Sequence, residues 1–272
     1  MSLLDANLPA VRTEVPSQFH VLTVVAVVLL ALSAAWGLVD PRLVDGAPVW
    51  MKPLKFALSF AVLFGTLALV EARLSPAVRD GWPLRITGWV MAAAFLSEMA
   101  YMMYQGARAE PSHFNMSTPF HEFMYTVVMA AGAVSLVVAV GVIGWIARRD
   151  RGADLGPALR EGVWLGFGLS FVLTLVVAGY MSGGTGHFVG LHREGAPTLP
   201  LMGWSGVTGD LRPAHFAALH AMQVLPLLGL WLDRRGTVGA VRTVRLAAAG
   251  YAAVTLAVFV QALMGLPLIP LA

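Results

Sequence analysis

Apolar residues run along this chain in seven long blocks rather than in the short alternating stretches of a soluble fold. A helix needs about 20 mainly apolar residues to cross a bilayer. The blocks predict spans at 19–39, 53–74, 86–105, 120–147, 164–181, 213–232 and 244–266. Long strands of alternating polarity are missing, which excludes a membrane β-barrel. The expected fold is therefore all-α, one transmembrane domain over 1–272 with seven transmembrane helices. The first span is expected to be retained. Its apolar run is too long for a signal peptide, and Asp5 and Glu14 precede it. The longest connection, 182–212, carries Gly183-Gly184-Thr185-Gly186 and reads as a lid over the bundle mouth.

Charge gives the orientation. Of the 18 Lys and Arg, one side takes Arg12, Arg73, Arg79, Arg85, Arg148, Arg149, Arg151, Arg160, Arg234, Arg235, Arg242 and Arg245. The other takes Arg42, Lys52, Lys55, Arg108, Arg193 and Arg212. The positive-inside rule places the N-terminus inside and the C-terminus outside. The setting this implies is a bacterial-type inner (plasma) membrane with the functional face outside.

Composition narrows the classes. The 272 residues are 58% hydrophobic and 12% charged, about half the usual charge of a soluble domain. The mean hydropathy of +0.74 agrees. The pI near 9.6 comes with a net charge of only +3 and no basic stripe, so no nucleic-acid partner is expected. No cysteine is present, which excludes disulfides, thiolate metal sites and a thiol nucleophile.

The polar residues then fall unevenly. Six of the seven histidines lie on the outer side, with His20 alone inside, and both lysines are outer. At about 1.5 Å per residue, Glu98 sits roughly 10 Å below the outer end of the third span. His220 and Ser59 are at similar depth, and Tyr125 and Gln261 are slightly shallower. Glu98, Tyr101 and Gln105 share a helix face, as do Lys52, Lys55 and Ser59, His121 and Tyr125, and His220 and Gln223. His215 points elsewhere, towards the mouth. A charge at this depth costs about 2.5–3.5 kcal/mol on insertion scales, so such residues usually face a cavity. The alternative for Glu98 is a packing ion pair, and for the lysines snorkelling to lipid phosphates. Asp210 and Pro213 suit the start of the sixth span, with Arg212 pairing Asp210 or Glu122.

Histidines and a carboxylate without cysteine suit zinc, iron or copper, or a haem with axial histidines. The expected metal ligands are His113, His121, His187, His215 and His220. Glu98, His220, Lys55 and Arg212 are the catalytic candidates. Lys52, Tyr101, Gln105, Tyr125, Gln223 and Gln261 would contact substrate. A retinal protein is excluded because the seventh span holds no lysine for a Schiff base. The leading expectation is a metal- or haem-dependent enzyme, an oxidoreductase or hydrolase, acting on a membrane lipid or lipophilic small molecule, with a possible redox partner. The other two are a binder or transporter of a small lipophilic or metal cargo, and a structural or assembly subunit.

Overall fold

The computed structural model describes residues 17–44, 46–184, 186–193 and 195–271. Asp5, Arg12, Glu14 and Thr185, used above, lie outside them. The described residues are 69% helical. The major helices are α1 (Gln18–Trp36), α2 (Met51–Glu71), α4 (Trp82–Ala107), α6 (Ala130–Arg149), α7 (Pro157–Ser182), α8 (Arg212–Arg234) and α9 (Ala240–Leu263). Short α3 (Pro76–Arg79) and α5 (Pro119–Phe123) lie between them, and a π-helical segment, Met124–Met129, joins α5 to α6. Taking α5 to α6 as one helix, seven helices among the described residues are long and apolar enough to cross a membrane. That is compatible with an integral membrane protein.

Two ends are distinguished below: the arginine end and the histidine end. The helix that carries the expected fifth span, 164–181, begins at Pro157. The extra turns carry Arg160 and Glu161, which the fold neutralises. Arg160 donates to the carbonyls of Ala147, Asp150 and Ala153. Glu161 is buried between Arg148 at 3.1 Å and Arg245 at 2.8 Å. The third span starts earlier too, at Trp82, with Pro83 in its first turn. The last helix stops at Leu263, just before Gly265 takes a positive φ of 77°.

Helix packing forms two groups. Helices α1, α2 and α4 pack together, as do α7, α8 and α9, and α6 bridges α4 to α7. The α7–α8 seam is the tightest, and glycine is the reason. A Cβ on Gly162 would lie 2.4 Å from the Leu225 carbonyl oxygen, and one on Gly229 2.3 Å from that of Ala158. Pro226 sits in the same seam beside Gly166. At the arginine end Asp233 of α8 caps α7, accepting from the Ala158 and Leu159 amides at 3.0 and 2.8 Å. Large apolar side chains such as Val24, Leu69, Val172 and Val254 point outward, as a lipid-facing surface requires.

The long connection is folded. Phe188–Val189 pairs antiparallel with Gly209–Asp210. Asp210, as expected, is Arg212's partner, at 2.6 Å. Its carboxylate also accepts from the Ser205 and Arg212 amides, while Arg212 reaches the Gly203 carbonyl at 2.6 Å. This clasp fixes the connection to the start of α8.

The seam generates a prediction. Gly162→Val should cost about 1–3 kcal/mol or more by overpacking and lower the melting temperature in detergent. Gly168→Val, on the same helix with nothing within 4 Å of its Cβ position, should melt within a degree or two of the parent.

Candidate functional site

Glu98 projects from the middle of α4, about 14 Å from that helix's histidine end by rise per residue. It is only 5% exposed. Its Oε1 has no hydrogen-bond partner. Room for the carboxyl comes from Gly132 on α6, where a Cβ would lie 2.9 Å from that oxygen. One turn nearer the arginine end, Phe95 meets Phe60 and Phe64 of α2, with ring centroids 4.7 and 5.1 Å away. These rings form an apolar floor beneath the carboxyl.

Lys52, in the first turn of α2, is the common neighbour at the histidine end. It lies within electrostatic range of Glu98, His113 and His187. His113 comes from the connection after α4, and it is folded in rather than exposed. Its ring packs on Phe56 (5.6 Å) and Tyr125 (5.9 Å), and its Nδ1 is 3.1 Å from the Ser112 hydroxyl. Phe114, next in sequence, holds a positive φ of 56° and packs its ring, tilted, against Tyr125 at 5.0 Å. A non-glycine residue there is uncommon and is held by its surroundings. Gln105 and Asn115 hold the same connection, both donating to the Pro111 carbonyl at 3.0 Å.

Burial, with a smaller contribution from the Lys52 charge, pushes the His113 imidazole down to about 3. Burial and then Arg212 push His187 down to about 4. Both rings are neutral at pH 7. The His187 ring leans on Phe188 (4.1 Å), which stacks on His192 (3.9 Å).

A second group lies on α8. His215 and His220 are within electrostatic range of each other. Each leaves Nδ1 buried and unmatched, as Gln223 leaves Oε1. Gln223 Nε2 donates to the Thr66 hydroxyl of α2 at 3.1 Å. Lys55 of α2 is within electrostatic range of Arg212. Lys52 and Lys55, in the first turns of α2, are thus within electrostatic range of His113 and His187 on one hand and of Arg212 on the other.

Other predicted residues are engaged elsewhere. Tyr101 hydrogen-bonds to His121 Nδ1 at 3.1 Å, and His121 Nε2 is 3.4 Å from Glu110. Arg108, hydrogen-bonded to Glu110, holds that carboxyl below its ordinary range. Gln261 donates to the Pro267 carbonyl at 2.7 Å and ties down the segment after α9. Among the described residues no three His, Asp or Glu side chains gather as a metal site. The five histidines divide between three places, and this donor set does not fit a shared metal ion. The π-helical segment carrying Tyr125 was not foreseen. Such segments are frequent at functional sites, but nothing in Met124–Met129 marks it in sequence.

The chain matches no protein family, no curated protein and no solved structure.

The neutral histidines predict a pH dependence. An unfolded histidine titrates near 6.5. Below that pH the unfolded chain binds protons that buried His113 and His187 refuse, so stability falls as pH drops from about 7 towards about 4. Melting temperatures measured across that range should show His113→Gln with a flatter acid slope than the parent. An unchanged slope would place the His113 ring in water.

Proposed function

We propose that this protein is an integral membrane protein that holds one lipophilic molecule by its oxygen-bearing end, between Glu98 and Lys52 at the histidine end. The observation that carries this is the unmatched Glu98 oxygen, buried in a gap that Gly132 leaves open. A buried polar group without a partner costs about 1–3 kcal/mol, and more when charged. At the arginine end comparable acids are paired: Asp233 on two amides, Glu161 on two arginines, and Asp150 on the Ser75 and Gly152 amides. Glu71 there also keeps one oxygen unmatched; Glu98 differs in having Lys52 within electrostatic range and Gly132 leaving space beside its free oxygen.

The chemistry of the ligand follows from the donors and acceptors. Glu98 Oε1 is an acceptor when ionised, so the ligand brings a hydroxyl or N–H. Lys52 supplies positive charge for a neighbouring oxygen. The phenyl rings of Phe60, Phe64 and Phe95 take its apolar part. The site sits above an apolar floor at one end, which suits retention of a molecule better than passage through the bundle. This reading invokes no metal ion, since among the described residues no three His, Asp or Glu side chains gather to hold one.

The test is extraction of the purified protein with organic solvent and mass spectrometry of what it carried. A single lipophilic compound should accompany the parent in near-stoichiometric amount. Glu98→Gln and Gly132→Leu, both still eluting as monodisperse protein, should lose at least tenfold of it. Equal retention by all three proteins removes Glu98 from the site.

A further inference from the structure

Helices α2 and α8 face each other without close packing of their backbones. A direct polar tie between them lies deep in the bundle, Gln223 to Thr66 at 3.1 Å. Towards the histidine end from that tie, the seam is lined by residues unsuited to bare hydrocarbon. On α2, Lys55 and Ser59 are exposed and one turn apart. On α8, His220 is partly exposed, and Phe216, 41% exposed, lies against it with ring centroids 4.0 Å apart. From Lys55 to Thr66 the seam is about 16 Å long by helical rise.

Charge selects the occupant. Lys55, in the first turns of α2, is within electrostatic range of Arg212 at the start of α8. Arg212 already holds Asp210. Among the described residues Lys55 has no carboxylate partner. Asp210 balances Arg212, so the charge left to be matched at the mouth of the seam is that of Lys55, and an anion there offsets it.

We propose that this seam is a lipid site for one anionic phospholipid, distinct from the Glu98 site. The phosphate sits on Lys55 and against Arg212. The glycerol esters lie one turn deeper, at the level of Ser59 and His220. An acyl chain lies over Phe216 and stops where Gln223 meets Thr66. The opening is lateral, so the lipid enters from the bilayer and not from water.

Native mass spectrometry of the detergent-purified protein tests this, with phosphatidylglycerol, phosphatidylcholine and inorganic phosphate as separate probes. Phosphatidylglycerol should bind as one copy, at least tenfold more tightly than phosphatidylcholine. Lys55→Gln should lose about tenfold, Lys55→Arg should restore it, and Arg235→Gln at the other end should change nothing. Equal binding of the two lipids, or no effect of Lys55→Gln, overturns the proposal and makes Lys55 a snorkelling side chain. Inorganic phosphate that competes fully makes the site one for a free anion and overturns the lipid assignment. Glu98→Gln should leave phosphatidylglycerol binding intact. Loss in that variant merges the two sites and overturns the claim that they are distinct. If Glu98→Gln instead leaves the extracted compound unchanged while Lys55→Gln still loses lipid, the Glu98 reading fails and the seam stands.

Discussion

The histidine end depends on how closely α7 and α8 lie together. Gly162 and Gly166 let the α7 backbone approach α8, and Gly229 returns the favour from the other side. The small side of α8, Ala214, Ala218 and Ala221, is consumed in this core. The opposite side, bearing Phe216, His220 and Gln223, must then look towards α2 or lipid. Without the hydrophobic effect between helices, contact area and backbone approach carry the association. The Asp233 cap fixes the same pair at the arginine end, so α8 has little freedom to rotate.

The two ends solve burial of charge differently. The arginine end spends most of its acids, Glu71 apart, on helix amides and guanidinium groups, which is structural work. The histidine end uses some polar groups the same way: Asp210 on Arg212 and Ser205, and Tyr101 on His121. Glu98, His215, His220 and Gln223 remain with atoms unmatched. That contrast separates a site from a scaffold more sharply than the number of histidines on one side.

Much of this was legible in sequence for a simple reason. A lipid-exposed helix must satisfy its backbone internally, so long apolar runs are read almost directly as helices. Errors came where the fold hides charge, as at Arg160 and Glu161, which lengthen α7. Glu98 was legible because an acid inside an apolar run has few explanations. Its neighbours were less so. Tyr101 and Gln105 share its helical face in sequence, yet the connection after α4 folds back and takes both, through His121 and the Pro111 carbonyl. Gln261 resembled a member of the same layer until the turn at Gly265 brought the Pro267 carbonyl to it. Gly132 gave no signal, because a glycine in an apolar helix does not disclose what it makes room for.

The π-helical segment has a consequence for how this region can vary. A π turn advances less angle per residue than an α turn, so the residues on its two sides are out of phase with a straight helix. His121 before it and Gly132 after it each meet a partner on α4, Tyr101 and Glu98. The segment is therefore a phase shifter between two contacts. Shortening it by one residue would regularise the helix and turn one contact away by about 100°, leaving either the Tyr101–His121 pair or the space beside Glu98 unmade.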